Sequence, residues 1–289
     1  MSAKPEIDPL TGTPLSGHSW DGISELETRP PRWWVLTYAV CILYAIGYWV
    51  VYPAWPTLSG YTEGMFGWSS RRDVEQQLAA AEQAQGALNA RLKAATVEEI
   101  RQDPELLRFA VAGGRTAFRD NCAACHGSGA QGQPGYPNLL DDDWLWGGSL
   151  AEIQKTLQVG IRSIHPETRM AEMPAFGRDG LLTRAQIEQL ADYVLSLSGT
   201  PAAPQAIAAG AALFADNCAA CHGEKAEGNR ELGAPRLSDA IWLYGGDRAS
   251  LITSIHSSRK GVMPAWQGRL SEETIKKLTV YVHTLGGGE

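Results

Sequence analysis

Apolar and polar positions divide the chain into regions of different character. From Trp33 to Tyr52 it reads WWVLTYAVCILYAIGYWVVY, and no acidic or basic residue occurs between Arg32 and Glu63. A helix of about 20 residues rises 1.5 Å per residue and spans about 30 Å, the thickness of a bilayer's hydrocarbon core. Trp33, Trp34 and Tyr38 lie at one end of this run, and Tyr48, Trp49, Tyr52 and Trp55 at the other. Aromatic side chains at both ends match the two interfaces of a membrane. The run starts too late and is too long for a cleaved leader, and it lacks a small-residue cleavage site. It is read as an uncleaved anchor, residues 33–55.

Before the anchor, residues 1–32 are polar and carry Pro5, Pro9, Pro14, Pro30 and Pro31, which predicts an irregular tail. Arg29 and Arg32 flank the anchor on that side, while residues 53–62 hold no positive charge, so the tail is expected on the cytoplasmic side. Pro53 and Pro56 end the anchor helix. In the linker, residues 56–112, a polar Ala-rich stretch from Arg71 to Ala95 sets Val74, Leu78, Ala81, Leu88 and Leu92 on one narrow face. That face fits either a partner-bound helix or a solvated one. Asp103-Pro104 is an N-cap and first-turn pair for a further helix.

The remainder repeats itself, most clearly at an offset of 96 residues, Cys122 to Cys218. Gly114 and Phe118 precede the first motif as Gly210 and Phe214 precede the second. Downstream, Trp144-Leu145-Trp146-Gly147-Gly148 matches Trp242-Leu243-Tyr244-Gly245-Gly246, and Ser163-Ile164-His165 aligns with Ser254-Ile255-His256. Met173-Pro174-Ala175-Phe176 matches Met263-Pro264-Ala265-Trp266. Each copy ends in a helix with a polar start, Thr183 with Gln186 and Ser271 before Glu272-Glu273. Those helices carry Leu190, Tyr193, Val194 and Leu197 in one copy, and Leu278, Tyr281 and Val282 in the other. Pro201 and Pro204 separate the copies, so two tandem units at 113–199 and 205–286 are expected, and the fold class is mainly α.

Composition adds ten Trp, five Cys and a net charge of −7 over 289 residues. The scattered Lys and Arg exclude nucleic-acid binding of the usual electrostatic kind. Four of the five cysteines fall in Cys122-Ala-Ala-Cys125-His126 and Cys218-Ala-Ala-Cys221-His222. Cys-x-x-Cys-His is a c-type haem attachment signature: cysteines one helical turn apart reach both vinyl groups of a porphyrin, and the His reaches the iron. Zinc would require a second ligand pair, which neither copy has, and a thioredoxin-like pair would require a βαβ context. Two haems c are therefore expected, one on Cys122 and Cys125 with His126, the other on Cys218 and Cys221 with His222. Cys41 remains as a small apolar side chain within the anchor. Met173 and Met263, each before a Pro, are the candidate sixth ligands; Met170 competes with Met173. A thioether opposite a His closes the iron and favours the ferrous state. Whether each Met serves the haem of its own copy or of the other is open. His165 and His256 are read as loop-holding or propionate-side residues rather than axial ligands, and Trp144, Trp146 and Trp242 as crevice walls or core. Asp141-Asp142-Asp143 is read as a solvated loop and helix cap. Haem c attachment occurs outside the cytoplasmic membrane, so the haem domains are expected to be periplasmic.

Each repeat resembles a class I cytochrome c: a Gly/Phe-bearing first helix, CAACH, MPAF or MPAW, and a Tyr-bearing last helix follow in that order. The whole chain, with its aromatic anchor, YPAWP and GYTEGMFGWSSR, resembles the family of dihaem subunits of cbb3-type cytochrome c oxidases, CcoP or FixP. The resemblance implies a relay that is no enzyme by itself. It would take electrons from a donor cytochrome c and pass them to a monohaem subunit, and onward to the O2-reducing, proton-pumping catalytic subunit in the inner membrane. Some members of that family carry two anchors; one is visible here. A free-standing anchored dihaem cytochrome and a dihaem peroxidase are the competing readings. Residues 33–289 hold 22 basic and 27 acidic side chains, so a basic donor would be steered to them.

Overall fold

In a computed structural model, residues 6–199 and 204–288 are described, and the chain divides into two compact units, Met1–Ala84 and Gln85–Glu289. The expected separator Pro201 lies outside the described residues.

The first unit opens with a hairpin of β1 (Leu15–Trp20) and β2 (Ile23–Leu26), where an irregular tail was expected. Asp21 and Gly22 take φ of 52° and 83°, the left-handed pair that a two-residue hairpin turn requires. The prolines exclude helix, but the Asp-Gly pair builds a turn. The anchor forms helix α1 (Arg32–Val51), and every residue in it is partly or fully exposed. A helix with no buried residue and no polar face is apolar toward its surroundings, as a lipid-facing segment must be. Trp34 stacks on Tyr38 at 5.5 Å, and Trp49 meets Trp55 edge-on at 4.8 Å.

The segment after α1 folds back on its C-terminus. A two-residue ladder, β3 (Pro56–Thr57) with β4 (Gly60–Tyr61), turns the chain. Met65 and Phe66 N–H groups then donate to the Val50 and Val51 carbonyls, at 3.0 and 3.1 Å. Those are among the orphan carbonyls that a helix end leaves. Gly64 (φ +70°) makes the approach possible, because a Cβ there would lie 2.6 Å from the Val51 oxygen. Helix α2 (Ser70–Ala94) follows.

The apolar stripe of α2 is half used: in the second unit Leu92 is fully buried and Leu88 packs beside it, whereas Val74 and Leu78, in the first unit, are exposed. Helix α3 (Val97–Gln102) starts in a Thr96–Glu99 capping box, and α4 (Pro104–Asn121) starts as expected, Asp103 accepting from the Glu105 and Leu106 N–H groups. The one-turn α5 (Ala123–His126) precedes α6 (Leu150–Val159) and α7 (Arg184–Leu197). The second copy repeats the series as α8 (Pro204–Asn217), α9 (Ala219–His222), α10 (Arg248–Ser257) and α11 (Glu272–His283). Ser149, not the Asp141–Asp143 run, caps α6, and Asp247 caps α10.

The repeats are not the packing units. The last helix of each copy lies on the first helix of the other: α11 on α4, and α7 on α8. Where α4 and α11 cross, a Cβ at Gly114 would lie 2.6 Å from Tyr281 Cβ. Where α7 and α8 cross, a Cβ at Gly210 would lie 2.5 Å from Tyr193 Cβ. Phe118 then meets Tyr281 at 5.5 Å, and Phe214 meets Tyr193 at 5.4 Å. One core gathers Phe118, Cys122, Ile153, Leu157, Leu278 and Val282, and the other Phe176, Ile187, Leu190, Phe214, Leu251 and Ile255. The second core is built from one continuous stretch, while the first joins residues 118–157 to 275–282. The sequence partition follows the duplication; the cores follow an exchange that spacing alone left open.

Candidate haem sites

Each Cys-x-x-Cys-His motif sits at the junction of two helices, where α4 turns into α5 and α8 into α9. Cys122 and Cys218 point inward, and burial pushes both thiols up to about 11, the neighbouring Cys adding to it. Cys125 and Cys221 are exposed. His126 Nδ1 lies 3.0 Å from the Pro137 carbonyl oxygen, and His222 Nδ1 lies 2.9 Å from that of Pro235. An acceptor at Nδ1 fixes the tautomer with its proton there and leaves Nε2 as the ligating nitrogen. Burial lowers the pKa of both imidazoles, with the carbonyl opposing, so both are neutral at pH 7, as metal ligation demands. Pro137 and Pro235 were not singled out from the sequence; a carbonyl acceptor has no residue signature.

The Met-Pro segments cross between copies. Met263 packs on the core that contains Phe118, Cys122 and Ala123, and Met173 on the core with Phe214, Cys218 and Ala219. Backbone hydrogen bonds fix the crossing. Ile161 and Met263 exchange both N–H···O bonds at 3.0 Å, and the Trp266 N–H donates to the Leu157 carbonyl at 2.9 Å. The symmetric counterpart is the Phe176 N–H donating to the Ile255 carbonyl at 3.1 Å, while Ser258 Oγ donates to the Met173 carbonyl at 2.7 Å. Met170, the competitor, is exposed.

His165 and His256 do not occupy equivalent places. His165 lies in the loop after α6, where its Nδ1 accepts from the Glu167 N–H. His256 lies in the last turn of α10, its ring packed on Gly177 and its carbonyl accepting from Gly177 and Arg178. The counterpart of His256 is Gln158, whose carbonyl accepts from Gln267. The Ser-Ile-His alignment is therefore coincidental, because the loop before Met173 is longer than the loop before Met263. Both histidines brace loops. Trp144 and Trp242 line the two cores, and Trp146 is buried.

Each site thus sets an inward cysteine and a thioether on one apolar core, with a second, exposed cysteine and an imidazole oriented through Nδ1 in the same motif. That donor set fits a covalently attached haem with His and Met on the iron.

Family profiles match three stretches: "N-terminal domain of cytochrome oxidase-cbb3, FixP" over residues 12–59, "Cytochrome c" over 111–198, and "Cytochrome C oxidase, cbb3-type, subunit III" over 205–282. The chain is 56% identical over 290 residues to the cbb3-type cytochrome c oxidase subunit FixP of a Bradyrhizobium species, and 53% identical to that of Bradyrhizobium diazoefficiens. It is 50% identical to subunit CcoP of Cereibacter sphaeroides; all three alignments cover 100% of both chains. The chain belongs to the FixP/CcoP family of cbb3-type oxidase subunits. It is a mainly helical, membrane-anchored component of an oxidase complex with an electron-transfer role, and its cytochrome c domains imply covalently bound haem c.

Proposed function

We propose that the chain is a two-haem relay that carries electrons and performs no catalysis of its own. It would take them from a donor cytochrome c and hand them to the monohaem subunit, and so to the O2-reducing catalytic subunit. The observation that carries this reading is the presence of one inward Met in each Cys-x-x-Cys-His core. With the imidazole and the thioether both on the iron, a haem held there would have no open position for O2 or peroxide.

The roles follow residue by residue. Cys122 and Cys125, and Cys218 and Cys221, would hold the two macrocycles covalently. His126 with Met263 would close one iron, and His222 with Met173 the other, each pair drawn from both copies. When bound, each haem supplies a one-electron ferric/ferrous couple. The protein holds the imidazoles neutral and oriented through the Pro137 and Pro235 carbonyls, and packs Phe118 and Phe214 against the sites to exclude water. The Arg-flanked tail would face the cytoplasm and the haem-bearing unit the periplasm, the side on which haem c is attached. Acidic excess over residues 33–289 favours a basic donor.

Purification of the complex from membranes in mild detergent tests the reading. The chain should copurify with the catalytic and monohaem subunits and carry two haems c by pyridine haemochromogen assay. Recovery without those subunits, together with normal oxygen uptake in a deletion strain, would sink it.

A further inference from the structure

Four residues before each Met stands an arginine, Arg169 before Met173 and Arg259 before Met263. Each guanidinium lies over an aromatic ring from the matching loop: Arg169 over Trp146 at 5.3 Å, Arg259 over Tyr244 at 4.9 Å. These rings lie where the two copies meet. Trp146 packs on Gly233, two residues before the Pro235 that holds His222, and Tyr244 packs on Gly135, two residues before the Pro137 that holds His126. The Gly135 N–H also donates to the Leu243 carbonyl at 2.7 Å.

The two arginines differ in one respect. Arg259 is exposed, whereas the Arg169 side chain is only 9% exposed. Arg169 Nη2 donates to the Glu152 carbonyl at 3.2 Å and pairs with the Glu152 carboxylate. Arg169 Nε is buried and has no partner, the one such side-chain atom among the described residues. A buried N–H is rarely left unmatched, and each exception calls for an explanation. A guanidinium presents its donors in a planar fork suited to carboxylates, and a haem carries two propionate carboxylates into its site.

We propose that Arg169 Nε donates to a haem propionate at the seam between the two copies, and that the buried guanidinium raises the potential of that haem. The inference rests on the reading of both motifs as haem sites. A positive charge held near the iron disfavours the ferric state, and burial keeps that effect from being screened. Arg259, exposed to solvent, has no comparable leverage. Arg169 is thus a positioning residue of the cofactor, distinct from the axial set.

The test uses the intact complex with R169Q, R169K and R259Q, read by redox titration of the c haems and by the propionate bending bands in resonance Raman. R169Q should lower one of the two c-haem midpoints by about 59 mV, a tenfold change in the ferric/ferrous ratio. R169K keeps the charge but not the Nε donor, so it should restore most of the potential while the propionate band stays shifted. R259Q should move neither readout. Two haems per chain with unchanged midpoints and bands in R169Q would overturn the proposal. If R169Q loads no haem, an unchanged band in R169K overturns it equally. A wild-type chain without covalent haem would instead defeat the underlying haem reading.

Discussion

Met263 and Cys122 meet in one core although the chain separates them by most of the repeat region, and this contact decides how a ligand substitution acts. Consider a chain carrying Cys218→Ala and Cys221→Ala, which retains one attachment motif. There Met263→Leu should abolish the sulfur-to-iron(III) charge-transfer band and lower the remaining potential, because a thioether ligand raises it. Met173→Leu in the same background should leave the band in place; the reverse outcome would mean ligation within each copy. The Cys-x-x-Cys-His motifs were legible because their pattern is local: five consecutive positions hold both thiols and the imidazole. The core against which each Met packs was not, because spacing along the chain is the same for a Met that stays with its copy and one that crosses. Arg169 was equally hidden, since nothing in its neighbours marks an Nε that folding leaves buried and unmatched.

At the scale of elements, the crossings of α4 with α11 and of α7 with α8 depend on an absent side chain. Glycine inside a helix costs about 1 kcal/mol relative to Ala, so Gly114 and Gly210 persist because the partner helix occupies their Cβ position. Gly114→Ala should therefore destabilise the second unit by about 1–3 kcal/mol, the usual cost of overpacking, in spite of its better helix propensity. Denaturant unfolding followed by circular dichroism would measure this, and a stability equal to or above wild type would contradict the crossing. A second device joins α2 to α11: buried Lys276 donates to the Lys93 and Ala95 carbonyls at 2.7 and 2.9 Å. Lys276→Ala leaves those carbonyls without their donor, a loss of about 1–3 kcal/mol that the same unfolding experiment would register. Helix starts at Asp103, Thr183 and Ser271 were readable because a cap is a pattern of neighbours. The β1–β2 hairpin was missed because its short strands carry no clean alternation, and only Asp21-Gly22 marked it. The partly used stripe on α2 was readable as a face but not as a partner.

In the whole molecule, the duplication gives the order of parts and the exchange gives the cores. A fragment of residues 171–259 holds Met173, α7, α8, Cys218, Cys221, His222 and α10, every buried side chain of one core. Exported with a secretion signal, it should fold around one haem with a His/Met spectrum. The fragment 113–199, which follows the repeat, lacks both α11 and Met263 and should yield no His/Met cytochrome; a stable one would refute the exchange. The family was legible in the order of anchor, linker and paired motifs, whereas the pairing of helices needed three dimensions. The interleaving also sets a timetable. On the proposed topology, export would deliver the Cys122 motif well before the Cys218 motif, yet its core would lack a wall until residues 263–285 arrive. The later motif can close sooner, since its helices precede the final one. The attachment machinery would therefore have its longest access to the first motif, and a nascent chain clipped near its end would leave that core open to the proteases that clear unfinished proteins.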